Sequence, residues 1–84
     1  IGTLTETLAH PREIFSFAIK NNAAAIILVH NHPSGDPTPS AYDVKFTQKV
    51  LSAGDLLGIP LLDHMIFCDN NFTSFRHLDV FKEF

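Results

Sequence analysis

The sequence predicts a small α/β (α+β) domain in which a mixed sheet packs against two main helices. Its 84 residues suffice for one hydrophobic core, because a chain of this length buries only roughly 60% of its unfolded surface. Hydrophobic residues make up 45% and charged residues 18%, a globular composition. Two segments with helical periodicity alternate with short apolar runs that end in turn residues, which is the order expected for helices layered on a sheet.

The first half of the chain predicts a strand end, a helix and a central strand. Residues 1–5 alternate apolar and Thr side chains briefly, as at the end of a strand. Pro11 suits the first position of a helix, Glu13 suits its first turn, and apolar residues follow at helical spacing, so we expect an amphipathic helix over 11–21. Residues 23–29 form a nearly continuous apolar run, which predicts a central strand buried on both faces.

A proline-rich loop and a long helix follow. Three prolines in residues 30–39 exclude regular structure and restrict the loop before it folds. Ser40 followed by Asp43 is a capping-box pattern, and Gly58 is a typical helix stop, so we expect a helix over 41–57.

The last part of the chain predicts two further strands separated by a turn. Residues 59–67 are rich in Ile, Leu and Met, a turn follows at 69–71, and 72–75 resemble a short strand. Ligands of such sheets usually bind beyond the carboxyl ends of strands, and His30 follows the predicted central strand.

Charge and cysteine content exclude several classes. Lys and Arg number 6 against 9 Asp and Glu, and the net charge of −3 disfavours direct nucleic-acid binding. The single cysteine, Cys68, cannot form an intramolecular disulfide, which favours a cytoplasmic protein. The apolar run at 23–29 is far shorter than the roughly 20 residues of a membrane helix. The chain starts at Ile1 without Met or a signal peptide, so we expect an excised domain.

Two histidines and an aspartate form a candidate metal site. His30 and His32 would project from the same face of an extended strand, with Cα atoms roughly 7 Å apart. Asp43 in the first turn of the next helix could point back at them. Three protein ligands leave an open position, the arrangement of a catalytic rather than a structural zinc ion. The oxygen of Ser40 could cap the helix, or its hydroxyl could hydrogen-bond a developing oxyanion.

Other polar residues have a structural and a functional interpretation. Asp63 and His64 interrupt an apolar strand and either orient a metal ligand or form a hydrogen-bonded pair with no part in catalysis. We expect His10 and His77 to be surface or capping residues. The eight phenylalanines pack mostly in the core, and any that are exposed would favour a homodimer.

The segment from His30 to Asp43 reads His-Asn-His-Pro-Ser-Gly-Asp-Pro-Thr-Pro-Ser-Ala-Tyr-Asp and resembles the JAMM (MPN-type) zinc metalloprotease signature: His-x-His, seven residues, Ser-x-x-Asp. The flanking residues 10–15 and 61–66 resemble those of the bacterial RadC family, historically labelled DNA repair proteins. The resemblance covers almost the whole chain. It implies one N-terminally truncated domain over residues 1–84 with a JAMM/MPN-like (cytidine-deaminase-like) core.

The same resemblance implies that His30, His32 and Asp43 bind Zn²⁺ and that Ser40 assists at the carbonyl of a peptide or isopeptide amide. JAMM enzymes also use an upstream glutamate to transfer protons. In RadC proteins that glutamate precedes the first residue of this chain, and neither Glu6 nor Glu13 stands in its place. We therefore expect a hydrolase-like domain that could be inactive as a fragment.

Several alternatives stay open or are excluded. The first is a non-catalytic recruitment or scaffold module in DNA repair, and another is a metal-free relic of the fold. An HNH nuclease is excluded because its signature residues are not consecutive. A barrel amidohydrolase is excluded because such barrels need roughly 200 residues.

Overall fold

A computed structural model of the chain describes the backbone of residues 2–4 and the whole of residues 10–32 and 36–78. Its elements, in chain order, are β1 (Gly2–Leu4), α1 (Pro11–Lys20), β2 (Ile26–Asn31), α2 (Ala41–Leu57), β3 (Leu61–Cys68) and β4 (Asn71–Ser74). The strands lie in that order in one sheet. The pairs β1–β2 and β2–β3 are parallel, and β3–β4 is antiparallel. The predicted mixed sheet with two helices is therefore confirmed.

Helix α1 begins and ends close to its predicted limits. His10 is the N-cap, and its Nδ1 accepts a hydrogen bond from the backbone N–H of Arg12 at 3.1 Å. Pro11 occupies the first turn and Glu13 lies near the positive end of the helix dipole. The helix ends at Lys20, one residue earlier than predicted. The capping role predicted for His10 is confirmed.

The strand predicted over residues 23–29 instead runs from Ile26 to Asn31. Ala23 donates its backbone N–H to the carbonyl of Ala18 at 2.9 Å, so it belongs to the turn that closes α1. Pairing with β3 then continues as far as Asn31. The apolar run was the wrong guide to the strand ends because it contains both the helix-closing turn and the first four of the six strand residues.

The prediction that β2 is buried on both faces is also wrong. Ile26 and Leu28 are buried, whereas Ile27 and Val29 on the opposite face are half-buried. Both helices pack on the face of Ile26 and Leu28. The main cluster of buried side chains there comprises Ile14, Phe15, Ala18, Ile26, Leu28, Val50, Leu51 and Leu61. The core of the described residues therefore lies on one side of the sheet.

An irregular register at the start of β3 decides which of its residues face the helices. Ile26 pairs with Leu61, but the next residue, Ile27, pairs with Asp63, so β3 carries one extra residue. As a result Leu61 and His64 are both buried, although simple alternation would place residues three apart on opposite faces. The bulge brings His64 to the helix side of the sheet.

The connection from α2 to β3 depends on two glycines. Helix α2 spans the predicted residues 41–57, and Gly58 ends it with φ of 74°, a left-handed conformation that glycine adopts at no steric cost. A Cβ on the buried Gly54 would lie 2.6 Å from the carbonyl oxygen of Ile59. The chain can therefore return tightly from the helix to the sheet only past a glycine.

The limits of β3 and β4 lie within two residues of the predicted ones. Strand β3 ends at Cys68, which is buried, and β4 spans Asn71–Ser74 rather than residues 72–75. Glu6 and the loop residues 33–35 lie outside the described residues. Within the part of the chain that the structure describes, neither helix is long and apolar enough to cross a membrane.

Candidate metal centre

The structure brings His30, His32 and Asp43 together. One potential ligand atom from each lies within 4.8 Å of the others. Nε2 of His32 is 3.3 Å from Oδ2 of Asp43, and Nδ1 of His30 is 3.9 Å from Oδ1. Tetrahedral zinc with bonds of about 2.1 Å separates its ligand atoms by roughly 3.4 Å. The two measured distances end on different oxygens of Asp43 and both are close to this spacing, so the cluster is compatible with a shared metal ion.

The two histidines converge because β2 stays extended as it leaves the sheet. His30 is the fifth residue of the strand, and His32 follows its last residue. The backbone N–H of His32 donates to the carbonyl of Phe67 at 2.8 Å, which holds the chain beside β3 beyond the strand end. The imidazole rings meet edge to face, with centroids 4.8 Å apart. The i, i+2 spacing therefore puts both rings on one side, as predicted.

A backbone carbonyl of the following loop orients His32. Nδ1 of His32 lies 3.1 Å from the carbonyl oxygen of Asp36. A carbonyl oxygen can only accept, so this hydrogen bond requires the proton on Nδ1. In the neutral imidazole Nε2 then carries a lone pair, and Nε2 is the nitrogen that faces Asp43. Binding of a metal ion through Nε2 needs this tautomer.

Asp43 is held by the start of its own helix. Oδ2 of Asp43 accepts from the backbone N–H of Ser40 at 2.8 Å, and the backbone N–H of Asp43 donates to Oγ of Ser40 at 3.0 Å. Burial opposes ionisation of this carboxyl, but the hydrogen bonds with Ser40, and then His32 and His30, hold its pKa below the ordinary value. Asp43 is therefore a carboxylate at neutral pH, the form that binds metal.

The structure confirms the capping role predicted for Ser40. Ser40 is the N-cap of α2, and the reciprocal hydrogen bonds with Asp43 form a complete capping box. The hydroxyl oxygen accepts from the backbone N–H of Asp43, and the Ser40 side chain also helps to hold the pKa of the Asp43 carboxyl below its ordinary value. Ser40 is exposed, and it lies next to the metal cluster through its contact with Asp43. Its action on a substrate carbonyl stays a prediction.

His64 lies behind the metal cluster. Its ring stacks on that of Phe75 with centroids 4.6 Å apart, and is nearly parallel to that of His30 at 6.3 Å. Nδ1 lies 2.6 Å from the hydroxyl of Thr47. Burial, then the electrostatic effect of His30, lowers the pKa of His64 to about 4. His64 is thus neutral at physiological pH and adjacent to a predicted ligand.

Asp63 points away from this cluster. It follows the bulge and precedes His64, so its side chain projects from the opposite face of β3. Its carboxylate accepts hydrogen bonds from the backbone N–H groups of His64 and Arg76 and from the hydroxyl of Ser74. These bonds tie β3 to β4 and the turn after it. Among the described residues it contacts none of the three predicted ligands, and its proposed role in orienting them stays a prediction.

Sequence reasoning missed two residues beside the site. The sequence analysis assigned no role at the site to Thr47, and it expected the phenylalanines, Phe75 among them, only to pack in the core. Thr47 is fully buried, and its hydroxyl links the carbonyl of Asp43 to His64. The i, i+4 spacing of Asp43 and Thr47 was the one available signal. The partner on β3 could not be identified without knowing the bulge.

Comparison with known proteins identifies the family. Residues 1–80 match the RadC-like JAB domain. A UPF0758 protein of Desulforamulus reducens is 55% identical over 76 residues, which are 90% of this chain and 34% of that protein. A UPF0758 protein of Geotalea uraniireducens is 57% identical over 74 residues, 88% of this chain and 32% of that protein.

A third relative extends the match almost to the full chain. The UPF0758 protein SAB1521c of Staphylococcus aureus is 55% identical over 82 residues, 98% of this chain and 36% of that protein. The chain thus spans about a third of the length of the curated relatives it matches. The family match covers nearly every residue and includes the whole metal cluster. This chain therefore belongs to the family of RadC-like JAB domains.

Proposed function

We propose that this domain is a zinc-dependent hydrolase of JAMM type that acts on peptide or isopeptide amides. The observation that carries the proposal is the convergence of two imidazoles and one ionised carboxylate at the carboxyl end of β2. Family membership supports a metal-dependent, hydrolase-like fold. The amide substrate class rests on the resemblance of the segment from His30 to Asp43 to the JAMM signature.

The donor set favours zinc over other common ions. Mg²⁺ and Ca²⁺ prefer cages of oxygen ligands, whereas two imidazole nitrogens and one carboxylate are typical of catalytic zinc. His30, His32 and Asp43 would hold the ion and leave one position open. The side chains of His30 and His32 are 32% and 18% exposed, so a substrate could reach that position.

Each residue around the ion would have its own role. Zinc, when bound, would polarise the scissile carbonyl and lower the pKa of a water molecule to about 7. Ser40 would donate its hydroxyl proton to the oxyanion that develops on the substrate. The carbonyl of Asp36 would keep His32 in the tautomer that presents Nε2. Asp43 would contribute a negative charge that its capping box holds in place.

Proton transfer is a requirement of hydrolysis that is separate from metal binding. The resemblance implies a glutamate for this role, and among the described residues none lies in the cluster. Glu13 is exposed in the first turn of α1. We therefore propose that metal binding is a property of the residues described above and that hydrolysis also needs a proton-transferring carboxylate.

Metal binding is tested directly on the purified chain. Protein prepared without chelator is analysed for metal content, and its zinc affinity is measured by competition with a chromogenic chelator. We expect one zinc ion per chain and a loss of affinity greater than about 1,000-fold in His32→Ala, because a ligand is removed. His77→Ala, which removes an exposed histidine outside the cluster, is the matched control and should bind as the wild type does. Absence of zinc binding at neutral pH would contradict the proposal.

Hydrolysis is tested on a full-length relative such as the Staphylococcus aureus protein. The zinc-loaded protein is incubated with peptide and isopeptide libraries, and products are identified by mass spectrometry. Cleavage that disappears on zinc removal supports the hydrolase. Zinc binding without cleavage, combined with tight, salt-sensitive retardation of DNA in a gel, would favour the recruitment module instead. The net charge of −3 leads us to expect no such retardation by this domain.

A further inference from the structure

The predicted metal ligands come from two elements whose relative position must be fixed. His30 and His32 belong to β2 and the residue after its end, whereas Asp43 belongs to the first turn of α2. The capping box orients Asp43 within its own helix but does not connect that helix to the sheet. A small rotation of α2 would move the carboxylate away from both imidazoles.

Thr47 and His64 make that connection. The hydroxyl of Thr47 lies 2.8 Å from the carbonyl oxygen of Asp43 and 2.6 Å from Nδ1 of His64. Thr47 is 0% and His64 4% exposed, so no bulk water competes for these hydrogen bonds. They run from the residue that carries the carboxylate ligand, through α2, to β3. Strand β3 is in turn the parallel neighbour of β2.

The hydrogen-bond pattern fixes the tautomer of His64. The threonine hydroxyl has one proton, and the carbonyl of Asp43 can only accept it. The hydroxyl oxygen must then accept from His64, which requires a proton on Nδ1. Nε2 of His64 is therefore the unprotonated nitrogen of a neutral imidazole.

Ring stacking also relates the orientation of His64 to that of His30. The plane of His64 is within 13° of that of Phe75, which is fully buried, and within 17° of that of His30. Phe75 thus supports one face of His64, and the ring plane of His64 is aligned with the imidazole of the first predicted ligand. Thr47 and His64 therefore contact both parts of the metal cluster. Thr47 hydrogen-bonds to the backbone of Asp43 in α2, and the ring of His64 stacks with that of His30 in β2.

We propose that Thr47 and His64 are positioning residues for the metal centre: they lock α2 against the sheet so that Asp43 and His30 are held at coordination distance before the ion binds. This inference rests on the proposed zinc site. Apolar side chains of similar size could fill the same space, but their packing is not directional, whereas the two hydrogen bonds fix how α2 is rotated about its axis. Pre-organised ligands bind metal more tightly because less order has to be imposed on binding.

Three variants test the proposal. Thr47→Val keeps the shape and removes both hydrogen bonds, and we expect its zinc affinity to fall about 10- to 100-fold. Thr47→Ser keeps the hydroxyl and should stay within about threefold of the wild type. Ser74→Ala is the matched control, because it removes a buried hydroxyl bonded to β3 on the opposite face, at Asp63. It should lower the free energy of unfolding but leave the zinc affinity within about threefold of the wild type.

Two further readouts do not depend on activity. The visible spectrum of bound Co²⁺ should change in Thr47→Val and not in Ser74→Ala, because only the first alters ligand geometry. Nitrogen-15 NMR of the metal-free wild type should show the Nδ1-protonated tautomer of His64. The opposite tautomer, or zinc affinity in folded Thr47→Val equal to that of the wild type, would overturn the inference while the zinc site itself stands. A wild type that binds no zinc overturns the proposed function and this inference together.

Discussion

Asp63 and Asp43 both accept hydrogen bonds from backbone N–H groups, yet their surroundings differ in kind. Asp63 is satisfied by donors alone: two backbone N–H groups and the hydroxyl of Ser74. Asp43 receives one backbone N–H on Oδ2, while the same oxygen faces Nε2 of His32 at 3.3 Å. That nitrogen carries a lone pair in the tautomer set by Asp36. Two acceptors this close need a cation between them, either a proton on the imidazole or a metal ion.

The difference separates a carboxylate that holds the fold from one that is prepared for a ligand. Asp63 joins β3 to the residues of β4 and the turn that follows, so its hydrogen bonds are complete without any further partner. The Asp43 carboxylate faces Nε2 of His32, which is also an acceptor when His32 is in its metal-binding tautomer. In that tautomer His32 supplies no proton between the two acceptors. In the sequence, Asp63 is recognisable only as an aspartate next to His64, and Asp43 only as an aspartate three residues after Ser40. The sequence alone therefore does not reveal this difference.

The largest expected effect is on metal affinity, and it should appear at only one of the two aspartates. Asp43→Asn replaces an anionic ligand by a neutral amide, and we expect zinc affinity to fall more than about 1,000-fold, or roughly 4 kcal/mol. Asp63→Asn should change it by less than about threefold. Competition with a chromogenic chelator measures both variants. Comparable losses at both positions would mean that Asp63 acts on the metal site through His64.

Stability should show the reverse order. Asp63→Ala removes the acceptor of three hydrogen bonds and leaves the buried hydroxyl of Ser74 without its partner. We expect the free energy of unfolding to fall by about 3 kcal/mol. Asp43→Ala in the metal-free protein should cost about 1 kcal/mol, the usual effect of losing part of a helix cap. Denaturation in urea with chelator present measures both, and a greater loss at Asp43 would contradict the comparison.

Acid should lower the stability of the folded protein through His64. The pKa of His64 is about 4 in the folded protein, lowered mainly by burial, and 6.5 in the unfolded chain. Between these values the unfolded chain binds a proton that the folded protein excludes, so stability falls as pH decreases from 6.5 to about 4. The slope contributed by His64 is at most about 1.4 kcal/mol per pH unit.

His64→Phe keeps a ring against Phe75 and removes the titrating group, so it isolates this contribution. The pH dependence of urea unfolding between pH 7 and 4, measured without metal, should be shallower in this variant than in the wild type. Ser74→Ala is the control that keeps both His64 and the charge of Asp63, and its slope in this range should resemble that of the wild type. Equal slopes for His64→Phe and the wild type would show that His64 is not excluded from protonation by the fold.

The sequence was sufficient to predict that His30, His32 and Asp43 come together, but not which residues lie behind them. His30, His32 and Asp43 could be predicted because strand alternation and a helix cap are local rules, which hold whatever the rest of the chain does. The extent of α2 followed from Ser40 and Gly58 for the same reason. These local signals predicted both the two-helix fold and the metal cluster.

The role of His64 depended on features that are not local. One extra residue in β3 sets which face it occupies, and the register with β2 sets its distance from His30. Hydrophobic patterning does not reveal this bulge, because Leu61 and the extra residue Leu62 are both apolar and either could face the core. The limits of β2 were misjudged for a related reason. Alanines such as Ala23 suit a helix-closing turn as well as a strand.

The smallest expected effect is also the one that separates the two roles of Ser40. In Ser40→Ala the hydroxyl that accepts from the backbone N–H of Asp43 is lost, which should cost about 1 kcal/mol of unfolding free energy. The bond that orients the Asp43 carboxylate comes from the backbone N–H of Ser40, which alanine keeps. Zinc affinity should therefore change by less than about threefold, and chelator competition measures it. A loss above about tenfold would show that the Ser40 hydroxyl itself supports the metal site. The helix cap and the proposed action on the substrate would then not be its only roles.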